Sequence, residues 1–359
     1  MKLAAITRAD FSGLATLSRV FTSFLGIHRT LALSYRPDRA DASWLDPAAT
    51  RFVRSNQITA ADAEWLLDGA DCVLSHETWY GPEVSLLARK RGIKTALTIM
   101  FEMLPMGGIA NGFTELAICP HELALREAEI TPCLAGALKV CLPFPIDTEE
   151  IPFRRRELAR TFVHFAKEGV RDGTPDVLAA WPLVKSDARL IVYQHGEPPL
   201  AGDDRVEVRQ RSRDAYADYA AGDVLLLPHR WSGYGCVLHE ALAAGMPTMV
   251  TAWWPFCDFA GFPRATGSVD ERLAARYESD APGLLPGAIQ SLSLPTTTAR
   301  RVDLSRSIIS FETTAEVIAA RVDALYDSDI SDVSEEARAW AEERSFDKLR
   351  ATWIAALST

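Results

Sequence analysis

Through its first 145 residues the chain alternates short apolar runs with stretches of helical spacing. The pattern predicts strands at 2–6, 30–35, 71–75, 94–100 and 116–119, with helices at 13–24, 60–67 and 83–90 among them. Strands separated by such helices form βαβ units around a parallel sheet. The alternation breaks at Leu142-Pro143-Phe144-Pro145-Ile146-Asp147, where two prolines interrupt it, and then restarts. Further strands are expected at 161–165, 190–193, 206–208, 224–227 and 249–251. Helices are expected at 175–183, 214–220 and 237–244, the last ended by Gly245. A long terminal helix over 335–357 places Trp340, Phe346, Leu349 and Trp353 at core spacing. The stretch from Trp253 to about Ser310 opens with Trp253-Trp254-Pro255-Phe256-Cys257-Asp258-Phe259 and reads as loop with short helices. Its rings either line a ligand site or cap the local core. The architecture this predicts is α/β, two parallel-sheet domains facing across a cleft. The first spans 1–145 and the second 146–335, and 336–359 forms a C-terminal helix packing back towards the first.

Composition narrows the class. With 359 residues, 48% hydrophobic and 24% charged, the chain is a soluble globular protein of two ordinary domains. No apolar run approaches the roughly 18 residues of a membrane span, and the N-terminal Met1–Asp10 meets charge too early for a signal peptide. Six cysteines (Cys72, Cys119, Cys133, Cys141, Cys236 and Cys257) show neither a CxxC pair nor a zinc spacing. They read as buried thiols in a reducing, cytoplasmic compartment. A net charge of −10 weighs against a large nucleic-acid or anionic-membrane footprint. Two local runs, Arg89-Lys90-Arg91 with Lys94 and Arg154-Arg155-Arg156 with Arg160, are either a basic face or solvated charges. Asp327-Ser328-Asp329 has the Asp-x-Asp form of a metal–diphosphate motif but reads as a solvated linker. No metal or other cofactor is therefore expected.

The chemistry concentrates in Ala221–Pro247. A buried strand ends at Pro228, a turn spaced by Gly233 and Gly235 follows, and a helix begins. Glycines there let backbone N–H groups approach an anion, and the helix N-terminus adds its positive dipole end. In open α/β sheets ligands bind at the carboxyl ends of strands, where this turn falls. Leu238 stands where a dinucleotide fingerprint would carry its third glycine, so the pocket is of phosphate type without being a GxGxxG site.

Pro228-His229-Arg230-Trp231-Ser232-Gly233-Tyr234-Gly235 followed by Glu240-Ala241-Leu242-Ala243-Ala244-Gly245-Met246-Pro247 resembles the donor motif of GT-B glycosyltransferases of family four, the glycosyl transferases group 1. In that family Pro-Ser-x-x-Glu-Gly-Phe-Gly leads into Glu-Ala-Met-Ala-x-Gly-x-Pro. The second motif glutamate falls on Glu240, which the resemblance assigns to the donor ribose. The first falls on Ser232, a departure that removes the carboxylate near the transferred sugar. Backbone groups of Gly233, Tyr234, Gly235, Cys236 and Val237 remain to hold the sugar and diphosphate.

Thr161–Leu178 resembles the element whose two cations neutralise the leaving diphosphate, with Lys167 and Arg171 in those places. Asp187–Gly196 resembles the next strand, and His195 lies where the base pocket forms. Arg230 belongs to the donor turn, and Asp10 and Gly13 fall where a Gly-rich loop meets the donor. Arg8–Leu14, His76-Glu77-Thr78, Glu102 and Arg171-Asp172-Gly173-Thr174 also resemble phage-encoded members. The resemblance implies a GT-B fold and sugar transfer from a UDP-, GDP- or other nucleotide-diphosphate sugar to a hydroxyl, with retention. Lys167, Arg171, Glu240 and Glu102 are the catalytic candidates, and His76, Glu77 and His121 are acceptor-side candidates. The acceptor is a small molecule, a glycan or a hydroxymethylated pyrimidine in DNA. The absence of a motif carboxylate at Ser232 leaves a non-catalytic nucleotide-sugar-binding protein as the alternative.

Overall fold

Two parallel sheets carry the apolar runs, each inside its own unit: Met1–Pro145 with Arg344–Thr359, and Ile146–Glu343. The computed structural model describes all residues except 11, 35–41, 54–56, 102–103, 105–111, 167–170, 195–201, 213–215, 231, 252–293, 295–297 and 302–308. For residue 123 and the short strands near 300 and 310 only the backbone is described.

In the first unit the order of elements is β1 (Leu3–Arg8), α1 (Gly13–Leu25), β2 (Arg29–Leu33), β3 (Thr50–Val53), α2 (Ala60–Leu67), β4 (Cys72–His76), α3 (Glu83–Arg91), β5 (Lys94–Thr98), β6 (Leu116–Cys119), α4 (Glu122–Glu129) and β7 (Leu138–Cys141). The seven strands lie in the order β3-β2-β1-β4-β5-β6-β7, all parallel. Short β3 and β7, with their partly exposed side chains, form the edges and lack a buried run that the sequence pattern would register.

The second unit repeats the plan with β8 (Thr161–Phe165), α5 (Thr174–Ala180), β9 (Arg189–Gln194), β10 (Val206–Gln210), β11 (Val224–Leu227), α6 (Cys236–Ala243) and β12 (Thr248–Val250). Its parallel sheet runs β10-β9-β8-β11-β12. The strand order therefore reverses twice, between β1 and β4 and between β8 and β11. Such switch points open a crevice at the carboxyl ends of the strands. Where a helix was expected over 214–220, the described backbone makes a short 3-10 turn at Ala217–Ala220. Within the stretch expected as loop with short helices, β13 (Thr298–Arg301) and β14 (Ile309–Glu312) pair antiparallel. Most of that stretch, Trp253–Phe259 included, lies outside the described residues.

Helix α7 (Ala315–Leu325) packs beside α5, and the expected single terminal helix is two: α8 (Ser331–Glu342) and α9 (Phe346–Ser358). The division between units falls between them, at Glu343 and Arg344. Trp340 serves the core of the second unit. Trp353 is buried in the first, edge-on to Phe21 (4.8 Å) and Phe144 (5.9 Å), with its indole N–H donating to the Pro143 carbonyl at 2.9 Å. One periodic stretch thus supplies two cores, which is why its spacing reads as one helix.

The arginine run near 155 is structural. Arg156 is 2% exposed and donates to the carbonyls of Arg154, Tyr219, Gly222 and Ala244. Burial draws its guanidinium down to about 9, still cationic at neutral pH. Arg154 pairs with Asp223, Arg155 with Glu335 and Arg160 with Asp327. Asp329, the other carboxylate of the Asp-x-Asp sequence, accepts from Ser331 at the start of α8. In the first unit Arg91 pairs with Glu64, Arg89 lies over the Phe113 ring, and Lys94 donates to Ala356. Neither run stands as an unengaged basic face. Nor are the thiols uniformly buried: Cys72 and Cys119 are, while Cys133 and Cys141 are exposed.

Because several buried carbonyls depend on one guanidinium, Arg156→Met is expected to lower the urea-unfolding free energy by about 3 kcal/mol. Arg155→Met, which removes only exposed pairs with Glu335 and Glu157, is expected to leave the midpoint unchanged. Equal effects from the two would show that Arg156 has no special anchoring role.

Candidate functional site

At the second switch point the loop after β8 and the loop after β11 are tied together. His164, on β8, places Nδ1 2.9 Å from the Leu226 carbonyl and Nε2 2.8 Å from the Thr174 hydroxyl. A carbonyl only accepts, so Nδ1 carries the proton and Nε2 accepts from Thr174. Burial lowers the affinity of this ring for a second proton and holds it neutral. Thr174 opens α5, its N–H donating to Asp172. Gly173 before it has φ +73°, and a Cβ there would lie 2.6 Å from the Pro228 carbonyl, so the two loops approach as only glycine permits. Arg230 completes the tie: its N–H donates to the Arg171 carbonyl at 2.9 Å, and its guanidinium meets Asp176 at 2.7 Å.

Ser232, Gly233 and Tyr234 form the buried turn that leads to Gly235, which caps α6 with φ +80° and no side-chain acceptor of its own. Cys236 and Val237 are the first two residues of the helix. Tyr234 stacks on His239 at 3.9 Å, and His239 donates through Nδ1 to the Gly235 carbonyl, so the turn is folded against its own helix. At the other end Arg156 and Arg338 donate to the carbonyls of Ala244 and Ala243. Cations thus stand at the C-terminus of α6 and an αL glycine at its N-terminus, the positive end of the helix dipole.

Glu240 sits one turn into this helix. Its Oε2 accepts from the Tyr219 hydroxyl at 2.5 Å. Tyr219 is buried edge-on to Phe165 (4.9 Å), and Phe165 stacks on Tyr193 and carries the Arg211 guanidinium at 4.3 Å over its ring. Burial, reinforced by the Glu240 charge, raises the Tyr219 phenol well above its ordinary value. The structure thus brings Arg171, Arg230, Ser232–Val237 and Glu240 to one switch point. Lys167 and His195 lie outside the described residues.

In the first unit Asp10, Gly13, His76 and Glu77 lie at the corresponding switch point, after β1 and β4, and His121 follows β6. Asp10 follows β1, pairs with Arg8 and accepts from Ser12, whose hydroxyl caps α1. Gly13 is the first residue of α1, with open space where a Cβ would stand. His76 ends β4 and Glu77 follows it. His76 is 1% exposed, packs on Phe21 at 4.9 Å and hydrogen-bonds Thr98 through Nδ1, which makes it part of the core wall rather than an acceptor surface. Burial pushes its value down to about 3. Glu77 (φ +62°) and Tyr80 (φ +56°) hold left-handed backbone, a local strain of about 1–3 kcal/mol each of the kind found at functional loops. His121 caps α4, its Nδ1 accepting from the Ala124 N–H at 3.2 Å. Glu102 lies outside the described residues. No group of His, Cys, Asp and Glu able to hold a metal occurs among the described residues, and no described helix is long and apolar enough to cross a membrane.

Tyr219, His164, Asp176 and Arg338 were not singled out by the sequence pattern. His164 alone left a signal, a histidine inside an otherwise apolar strand. Tyr219 and Arg338 reach α6 from far along the chain, and no spacing marks them.

The profile of the family described as glycosyl transferases group 1 matches residues 160–262, the span that holds β8 to β12. No curated protein sequence matches. Among solved structures, HepE (Alr3699) of Anabaena in complex with UDP is similar over 100% of both chains, with TM-score 0.61 and 12% identity. The lipopolysaccharide outer core galactosyltransferase WaaB in its apo form is similar over 100% of this chain and 99% of its own, with TM-score 0.57 and 13% identity. Sucrose-phosphate synthase of Thermosynechococcus elongatus is similar over 100% of this chain and 96% of its own, with TM-score 0.55 and 12% identity. The fold is GT-B, built of two Rossmann-like units. With the matched segment it defines the class: this chain is a glycosyltransferase.

The buried neutral histidines give a pH prediction. The folded value of His76, about 3, lies below the ordinary 6.5 of the unfolded chain, so the unfolded chain takes up its proton first as pH falls. The stability due to the neutral ring is complete above 6.5 and is lost as pH drops towards 3, at up to about 1.4 kcal/mol per pH unit. His164 shifts in the same direction and steepens the slope. Urea unfolding between about pH 7 and pH 5 should show a shallower slope for His76→Gln than for the wild type. Identical slopes would refute the assignment.

Proposed function

We propose that this chain transfers a sugar from a nucleotide-diphosphate sugar, UDP-sugar first among the candidates, to a hydroxyl of a small molecule or glycan, with retention. The donor is assigned to the second unit. The observation that carries this is α6: its N-terminus opens at Gly235 behind a Gly-spaced turn, and Glu240 is held one turn inside it by Tyr219. In this reading the diphosphate accepts from the backbone N–H groups around Gly235 and Cys236, with Arg171 and Lys167 as the neutralising cations. Charge developing on the departing diphosphate then meets donors already in place, which lowers the barrier without a metal. Glu240 takes the ribose hydroxyls. The acceptor contacts are assigned to the first unit, near Glu77 and Glu102. The UDP bound in HepE supports the choice of nucleotide to try first.

A small acceptor is favoured over a modified DNA base because the arginines of both runs pair within the chain, and a duplex needs several cations turned to its phosphates.

Thermal shift against UDP, GDP, ADP, dTDP and their common sugar conjugates tests the reading. A nucleotide at about a hundred times its Kd stabilises the folded chain by about 2.7 kcal/mol, so a shift of several degrees is expected for one base and a much smaller one for Glu240→Gln. Arg171→Ala should weaken diphosphates more than nucleosides. No shift with any nucleotide at millimolar concentration would sink the donor assignment. Tight binding with neither transfer nor donor hydrolysis would instead indicate a binding protein, the reading that Ser232 in place of a motif glutamate keeps open. Proton NMR of the sugar first released in water would report its anomeric configuration, and inversion would remove that part of the proposal.

A further inference from the structure

We infer that Tyr219 is a positioning residue: it fixes the carboxylate plane of Glu240 and thereby makes the donor site selective for ribo- over 2′-deoxyribonucleoside diphosphates. The inference rests on the assignment of Glu240 to the donor ribose.

A vicinal diol is read by two acceptors held in one plane. A glutamate carboxylate offers two oxygens, but its terminal torsion is soft and broadly two-fold, so an untethered one presents that plane only part of the time. The Tyr219 hydroxyl removes this freedom by donating to Oε2 at 2.5 Å, the short distance of an O–H donor on an ionised oxygen. The bond also consumes an acceptor position on Oε2, so what the carboxylate offers a ligand has a fixed direction.

Tyr219 is itself immobilised from several sides. Its ring lies edge-on to Phe165 at 4.9 Å, and its carbonyl accepts from the Arg156 guanidinium at 2.6 Å. The neighbouring Asp218 accepts from the Ser212 N–H and meets Arg211 at 3.1 Å, which fixes the turn that carries the tyrosine. The phenol, raised well above its ordinary value by burial, stays a donor wherever nucleotides bind. A tyrosine held this firmly and aimed at one oxygen of a helix-borne carboxylate orients that carboxylate. Phenylalanine would keep the ring packing and lose only the bond.

Calorimetric titration of the full chain with UDP, GDP and ADP, each paired with its 2′-deoxy counterpart, tests the inference in wild type, Tyr219→Phe and Glu240→Gln. The wild type is expected to favour the ribo form by roughly tenfold or more, the weight of one hydrogen bond to a charged group. In Tyr219→Phe the preference is expected to fall to about twofold while affinity for the deoxy form stays within about twofold of wild type, a split that loss of packing would not produce. Equal weakening of both forms, or an unchanged preference, would overturn the role of Tyr219. If Glu240→Gln still abolishes the preference in that case, the ribose assignment stands without it. A preference that survives Glu240→Gln removes the ribose assignment and this inference together, as does the absence of measurable binding of every pair to the wild type.

Discussion

Everything in the second unit is arranged around how helix α6 ends. A helix leaves several carbonyls without partners at its C-terminus and several N–H groups at its N-terminus. Here the C-terminal carbonyls of Ala243 and Ala244 are taken by Arg338 and Arg156, two guanidiniums brought from α8 and from the strand-like segment before β8. Arg338 also donates to Thr148 and Ile151, and Ser334 to Gly245, so α8, the entry segment and α6 form one braced body. The positive charges face the negative end of the dipole. The opposite end stops at an αL glycine with no side-chain cap of its own. The proposed diphosphate site rests on that asymmetry.

Rigidity at the switch point has the same origin. The loops after β8 and β11 carry the groups assigned to the diphosphate, and free loops would have to be ordered at the moment of binding. His164, Gly173 and Arg230 order them beforehand, through a neutral imidazole spanning a carbonyl and a hydroxyl, a backbone approach closed to any Cβ, and a guanidinium on Asp176. Buried polar groups of this kind are tolerable only when satisfied. Tyr219 and Glu240 extend the principle, since each restrains the other.

Charge is distributed to the same end. The chain is acidic overall, at −10, yet arginines are frequent in the second unit. Those near 155 brace carbonyls and carboxylates within the unit rather than stand as a sheet of exposed cations. An arginine bound to internal carbonyls stabilises a scaffold; it is not available to a long polyanion. The cationic groups assigned to a ligand are few and local, which suits a diphosphate.

Periodicity by itself determined the two parallel-sheet halves, the break at the proline pair near 143–145, most strand positions and the turn that opens α6, because burying one face of a strand or helix imposes its spacing on the sequence. The turn glycines at 233 and 235 and the glutamate at 240 were legible because a turn and a motif spacing are local. Edge strands β3 and β7 were not, being short and half exposed. The stretch after residue 330 shows a single apolar rhythm, and only the packing decides that Trp340 belongs to one core and Trp353 to another. Arg156 reads as one of three identical arginines until four carbonyls surround it, and Tyr219 reads as an ordinary turn residue until its hydroxyl meets Glu240. Sequence spacing records which face of an element is buried. Partners far apart along the chain meet only when the sheets and helices pack, so tertiary structure alone decided which polar groups hold the site in place.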